Sequence, residues 1–386
     1  MKDFEFYFPT RIVFGVNSRH KLKAQLEKMG LKRLFVVSDK VLVSIGVVGK
    51  VLDVLKTCDG AEFEVYDDVI ENPLDSIVDD GYEKALKFKA DCVIGIGGGS
   101  SLDTATGIAM LLSNGGKAID YFKGAAIKHA SLPTILIPTT SGTGSEVNRC
   151  FVVTDPTNNF KDGIADDLMC PALTILDPEL TVSMPQKVTA ATGIDAFTHA
   201  FEAYLSRNGH PLSDALNLHA MRLIAANIRK AFCDPNDIEA RSNMLLASVI
   251  AGIGFDQVGL VLSHAMAHPL SGLFNVPHGV SCAVMTAPVM EFNIPAVPEK
   301  LIEVGRILGA DIDTDMSVYD QAFAAVEEFR QLLIDLKLPL TISELGVTED
   351  DLPKLTEDAF ASPGMRGRNP RINSKEDIME IYRSLL

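Results

Sequence analysis

The sequence predicts two folds in series: an α/β domain on a parallel sheet over residues 1–185, then an all-helical domain over 186–386. Three observations predict it. Apolar runs of strand length alternate with helical patterns through the first half. Two glycine- and hydroxyl-rich stretches directly follow strands. Beyond Pro185 nearly every segment carries the 3.6-residue period of helices.

In order, FEFYFP reads as the first strand, leading to Gly15. Asn17 or Ser18 opens a helix whose Leu22, Leu26 and Met29 share a face, and Gly30 stops it. LFVVSD (34–39) reads as a buried strand. A helical pattern runs to about Cys58, and AEFEVYD follows as a strand. Asn72-Pro73 opens a helix that turns Ile77, Tyr82 and Leu86 to the core. DCVIGIGGGS is a strand entering a glycine turn, continued by helix over 102–112. LPTILIP, RCFVVTD and ALTILD read as further strands, with helices on both faces of a parallel sheet. No tract is of low complexity, and nothing repeats.

Bulk properties narrow the function classes. The 386 residues leave room for two domains, and 47% hydrophobic residues can bury a large core. No run approaches the roughly 18 apolar residues of a membrane span. The N-terminus lacks the basic and apolar regions of a secretory signal. Six scattered cysteines without a CxxC pattern suit a reducing cytoplasm. A net charge of −16 argues against a nucleic-acid partner, which needs a basic face.

Two stretches point to a phosphate-bearing ligand. GIGGGSSLD (95–103) follows a strand and opens a helix, where exposed N–H groups and the helix dipole favour phosphate. A plain turn with Ser100 as cap and Asp103 closing a capping box is the competing reading. PTTSGTGSE (138–146) is a second loop after a strand, and ligands gather at the carboxyl ends of parallel strands. Asp39, ending its strand, can bond ribose hydroxyls and repel a 2′-phosphate; taken alone, a strand-end Asp is more often a helix cap or turn residue. It precedes the glycine turn, the reverse of the usual order.

A second group points to a metal. HAMAHPLSGLFNVPH (264–278) holds three of the eight histidines, and His264 and His268 share a helix face. Pro269 is expected to end that helix, and a glycine-containing loop to carry His278. Upstream, GIDAFTHAFEAY sets Asp195 and His199 at the same i,i+4 spacing. The pattern suggests a divalent cation held by one carboxylate and two or three imidazoles, with a position open for substrate. Asp195 also closes a Thr192-x-x-Asp195 capping box, so a helix start is the alternative there. Such a metal keeps a net positive charge and can stabilise the alkoxide between alcohol and aldehyde while a dinucleotide carries hydride.

From FPTRIVFG through GGGSSLD, PTTSGTGSE, DPELTVSMP, GIDAFTHAFEAY and HAMAHPL to NPR (369–371), the chain closely resembles the iron-containing (group III) alcohol dehydrogenase family, with its 1,3-propanediol dehydrogenases and lactaldehyde reductases. The resemblance implies a dehydroquinate synthase-like architecture of a dinucleotide domain and a helical metal-binding catalytic domain. It implies Asp195, His199, His264 and His278 as ligands of Fe²⁺, with Zn²⁺ or another divalent metal possible, and His268 as a proton relay. It implies Gly98, Gly99 and Ser100 at the pyrophosphate of NAD(H), Thr139, Thr140 and Thr143 in the partner loop, Lys161 as a cofactor contact and Asp39 as the acid of NAD preference. It further implies a homodimer or higher homo-oligomer. The chain departs from the family at Thr106, where Lys is common, at 148–150 and at 254–261. The last two flank the expected substrate pocket, making Arg149, Cys150 and Phe255 candidates there; Arg149 could pair with a carboxylate or sulfonate tail or lie idle on the surface.

The expected activity is therefore a cytoplasmic NAD(H)-linked alcohol dehydrogenase, working as an aldehyde reductase on a short substrate. A lyase-type metal- and NAD-dependent enzyme without net redox is the alternative, weakened by the few Lys and Arg over 195–280. A non-catalytic binding protein is the third reading.

Overall fold

Apolar strands buried on both faces form the centre of the first unit, Phe8–Met184. The structure, a computed structural model, describes residues 3–155, 160–313 and 315–386. The strands are β1 (Arg11–Phe14), β2 (Arg33–Val37), β3 (Glu62–Tyr66), β4 (Cys92–Gly97), β5 (Thr134–Pro138), β6 (Cys150–Asp155), β7 (Phe160–Ala165) and β8 (Leu173–Leu176). Six of them pair in parallel in the order β1-β8-β5-β4-β2-β3. Every residue of β4, β5 and β8 is buried, as expected of a parallel sheet covered on both faces. The covering helices are α1 (Leu22–Met29), α2 (Lys40–Ser44), α3 (Val47–Leu55), α4 (Asp75–Phe88), α5 (Gly99–Asn114) and α6 (Ala118–Phe122).

Two expectations fail in this unit. RCFVVTD does not join the parallel sheet. β6 pairs antiparallel with β7 in a separate ribbon, from Cys150 opposite Ala165 to Asp155 opposite Phe160. The place beside β5 is taken by β8, and β6 is held on α5 instead: its Val152 N–H donates to Asp103 Oδ2 at 3.1 Å, and Phe151 is fully buried. FEFYFP is not a strand either. Residues 4–7 belong with the helical unit, where Phe4 stacks on His210 at 4.1 Å and the Gln257 amide both accepts from Tyr7 N–H and donates to Tyr7 C=O. Aromatic partners, not a neighbouring strand, satisfy its alternation.

The second unit is Pro185–Leu386 with the residues before Phe8. Its helices are α7 (Gln186–Leu205), α8 (Pro211–Cys233), α9 (Ile238–Val258), α10 (Leu262–Phe274), α11 (His278–Asn293), α12 (Pro298–Leu308), α13 (Val318–Asp335), α14 (Leu352–Phe360), α15 (Pro363–Arg368) and α16 (Lys375–Arg383). From Thr189 to Leu205 every residue of α7 except Thr192 is buried, so its polar side chains lie in the core. Small residues permit this: a Cβ on Gly193 would lie 2.7 Å from Ile228 Cδ1. Thr192 and Asp195 sit inside this helix and do not start it; Thr192 Oγ1 bonds back to Val188 C=O. Between α9 and α10 the chain bends by 108°. No single helix among the described residues is long and apolar enough to cross a membrane.

Pro269 does not end α10, which runs on to Phe274. The helix is buried against residues of α11, α14 and α16, and the Tyr382 hydroxyl donates to Met266 C=O at 2.7 Å one turn before the proline. Packing and this outside donor sustain the turn that the proline weakens. His278 is accordingly not a loop residue; it is the first residue of α11.

Candidate metal centre and nucleotide turn

In the first unit the chain reverses its build direction between β2 and β4, since β3 lies on one side of β2 and β4 on the other. Such a switch point is where open α/β sheets take ligands. The glycine turn leaves β4 there, and Asp39 leaves the adjacent β2, whose Val37 pairs with Gly95. The unusual sequence order of acid and glycines thus becomes ordinary adjacency in the sheet.

The turn is tight. Gly97 has φ +155°, and a Cβ on it would lie 2.6 Å from Ser101 Oγ. A Cβ on Gly99 would meet Thr143 Cγ2 at 2.8 Å, and one on Gly98 would meet Thr140 Cγ2 at 3.4 Å. Thr139 N–H donates to Gly97 C=O at 2.9 Å. Gly98, Gly99, Thr139, Thr140 and Thr143 are therefore one constellation, with Ser100 in the first turn of α5. That helix caps on Gly98 with no side-chain acceptor, so the Ser100–Asp103 capping box does not form; Asp103 serves β6 instead. A 16-residue helix whose first N–H groups lack a side-chain cap suits a phosphate.

Asp39 caps α2, its Oδ1 accepting from Leu42 N–H at 2.9 Å. Arg149 pairs with Asp167, and the Cys150 thiol lies 3.7 Å from Phe151 C=O. Thr106 is buried and donates to Leu102 C=O at 3.1 Å. Lys161 stands in β7, and its side chain lies outside the described residues. Glu146, in the second loop, is fully buried, with no hydrogen-bond partner for Oε1 among the described residues. Burial, reinforced by Asp103, pushes its carboxyl up to about 7.

In the second unit α7 brings Asp195 and His199, α10 brings His264 and His268, and α11 brings His278. Asp195 Oδ1 is the common point: it lies 3.9 Å from His199 Nε2, 3.8 Å from His264 Nε2 and 3.6 Å from His278 Nε2. It is buried, with no hydrogen-bond partner among the described residues. α11 reaches α7 closely because residue 279 is glycine; a Cβ there would lie 2.2 Å from Ala191 C=O oxygen. The His268 ring centroid lies 5.4 Å from that of His278 and 6.0 Å from that of His264. Phe255 stacks on His199 at 4.6 Å.

Two residues of this site were missed in the sequence. Glu202, buried on α7, accepts from His264 Nδ1 at 2.7 Å and from the N–H groups of Val261 and His264, both at 3.2 Å. It caps α10 and orients its first histidine together. Burial works against both charges, yet their mutual attraction outweighs it, holding His264 above and Glu202 below their ordinary values. Glu202 stands three residues after His199, a helical spacing that could have found it. Cys282 is the other, with Sγ 3.6 Å from Nε2 of both His264 and His278. Its i,i+4 spacing from His278 is a signal only once His278 is on a helix.

These donors fit a divalent cation. Ligands about 2.1 Å from a tetrahedral metal stand about 3.4 Å apart, close to the separations around Asp195 Oδ1. A buried carboxylate oxygen without a proton donor is costly unless a cation satisfies it.

A glycine turn at a sheet switch point and a buried carboxylate–imidazole group define a metal-dependent, nucleotide-using enzyme. The model for iron-containing alcohol dehydrogenase matches residues 9–178, and that for the C-terminal part of the Fe-containing alcohol dehydrogenase family matches 189–386. The chain belongs to the iron-containing alcohol dehydrogenase family. A sulfoacetaldehyde reductase of Bilophila wadsworthia is 38% identical over 379 residues, covering 98% of each chain. The crystal structure of a 1,3-propanediol oxidoreductase superposes with TM-score 0.95 at 35% identity, covering 100% of both chains. That of a sulfoacetaldehyde reductase from Bifidobacterium kashiwanohense in complex with NAD⁺ gives TM-score 0.91 at 29% identity, covering 100% of this chain and 99% of the other. The matches are to oxidoreductases and do not favour the lyase alternative.

Proposed function

We propose that this chain is an NAD(H)-linked, metal-dependent reductase of short-chain aldehydes, running in reverse as an alcohol dehydrogenase. The observation that carries it is the buried Asp195 Oδ1 ringed by three imidazole nitrogens at 3.6–3.9 Å. Asp195, His199, His264 and His278 hold the cation, Fe²⁺ by the family's habit. When bound, the cation supplies positive charge opposite the oxygen that becomes negative, and NADH supplies the hydride.

The remaining work falls to the chain. Backbone N–H groups of Gly98, Gly99 and Ser100 hold the pyrophosphate, with Thr139, Thr140, Thr143 and Lys161 around it. Asp39, beside the turn, selects NAD(H) by bonding the ribose and repelling a 2′-phosphate. Glu202 takes the Nδ1 proton of His264 in a hydrogen bond, which leaves Nε2 with its lone pair toward Asp195. His268 passes a proton to the product oxygen. Phe255 shields His199 from water. Arg149, Cys150 and Phe255 face the substrate in this reading. The substrate is neutral, because Asp167 already neutralises Arg149. The enzyme works in the cytoplasm as a homodimer or larger homo-oligomer; support comes from the family's usual assembly and from six cysteines with no disulfide among the described residues.

The test is NADH oxidation by protein purified without oxygen and loaded with Fe²⁺, offered glycolaldehyde, lactaldehyde, 3-hydroxypropionaldehyde, succinate semialdehyde and sulfoacetaldehyde. Turnover abolished by chelation, fastest on neutral aldehydes, is the expected result. No turnover on any of them, with metal and NADH both shown to bind, would sink the reading. Faster rates on the anionic pair would return Arg149 to the substrate tail.

A further inference from the structure

Cys282 extends the donor group beyond the four residues that the sequence offers. It is fully buried on α11, one turn after His278. With Asp195, His264 and His278 it forms a set in which one donor atom of each residue lies within 4.8 Å of every other. Sγ stands 3.6 Å from Nε2 of His264 and 3.6 Å from Nε2 of His278. In the metal-free chain a thiol can donate to one of these nitrogens and accept from the N–H of the other. The same spacing is that of ligands sharing one cation: a thiolate about 2.3 Å and an imidazole about 2.05 Å from it, about 110° apart, stand about 3.6 Å from each other.

We propose that Cys282 is a thiolate ligand of the metal centre. The proposal rests on the reading of this helical site as a metal centre. Binding forms one sulfur–metal bond and releases the thiol proton to solvent. Asp195 and Cys282 then place two negative charges on a divalent cation. The net charge of the centre falls to zero from the +1 of one carboxylate with neutral imidazoles. A soft sulfur donor shifts preference toward thiophilic cations such as Zn²⁺ and Co²⁺ relative to Fe²⁺. The residue therefore sets metal choice as well as affinity.

The experiment is optical. The full-length chain, stripped by chelation and kept free of oxygen, is titrated with Co²⁺ alone. The expected result is a set of visible d–d bands together with a near-ultraviolet sulfur-to-cobalt charge-transfer band. Cys282→Ser, which keeps the volume, and Cys282→Ala should lose the charge-transfer band and retain d–d bands. In competition with a chromogenic chelator, both should bind Zn²⁺ about tenfold or more weakly. Visible bands in the unaltered chain without charge transfer would overturn the thiolate and leave the carboxylate–imidazole centre standing. A charge-transfer band that persists in the variants would assign it to another cysteine and overturn the proposal equally. Absence of all cobalt bands would overturn the metal centre and the thiolate with it. If the alanine variant does not fold, the serine variant decides.

Discussion

Replacing Glu202 with Gln should weaken both the fold and the metal site, by amounts the geometry supplies. The carboxylate receives three hydrogen bonds, from His264 Nδ1 at 2.7 Å and from the N–H groups of Val261 and His264 at 3.2 Å each. All lie in a fully buried site. An amide of the same shape has one accepting oxygen. If that oxygen keeps the short bond to His264, the NH₂ faces a backbone N–H. One buried donor is then unsatisfied, at about 1–3 kcal/mol, and the short bond loses its charge assistance, about 1 kcal/mol more. The metal-free variant should be about 3 kcal/mol less stable by urea denaturation near neutral pH. Its His264 would lose the partner that fixes the ring, and Zn²⁺ affinity should fall about 10- to 100-fold in a chelator competition. A stability loss under about 1 kcal/mol with unchanged affinity would refute the orienting role given to Glu202.

Three further outcomes follow from particular atoms. Glu146 stays protonated in the folded chain to about pH 7, against 4.5 as its ordinary value; the folded state binds more protons between these values, so stability falls as pH rises through them, by about 3 kcal/mol in all. Glu146→Gln should abolish that slope, and parallel profiles for the two chains in urea at pH 5 and pH 8 would count against it. Gly279→Ala would place a Cβ 2.2 Å from a backbone oxygen of α7; it should cost about 3 kcal/mol in thermal denaturation and weaken metal binding by displacing His278. Asp39→Gly should shift the ratio of kcat/KM for NADH over NADPH by about tenfold toward NADPH, and an unchanged ratio would remove Asp39 from cofactor choice.

Much of this was legible because it depends on local spacing. Asp195 and His199 share a helix face, and the glycine turn follows its strand, as period and composition indicate. The order of strands was not legible, since which strand neighbours β2 is decided by tertiary packing; only the observed order explains why Asp39 can precede the glycines and still stand beside them. Pro269 misled because proline's local penalty was weighed without the buried helices and the Tyr382 hydroxyl that offset it. That error moved His278 off a helix and so concealed Cys282 one turn further on. Glu202 shares a helical spacing with His199, but the partner it serves, 62 positions away, is visible only in the fold. FEFYFP shows the converse, an alternation that is real but answered by a histidine ring.

The four proposed carboxylate and imidazole ligands differ sharply in their access to water. The side chains of Asp195, His199 and His264 are 3%, 7% and 1% exposed, whereas that of His278 is 27% exposed. A cation arriving from solution therefore meets His278 before it reaches the other three. The same imidazole would be the last bond broken on the way out, and the rate of metal exchange would be governed by the swing of one side chain at the head of α11. Equilibrium affinity belongs to all the ligands, but the lifetime of the loaded centre belongs to this one.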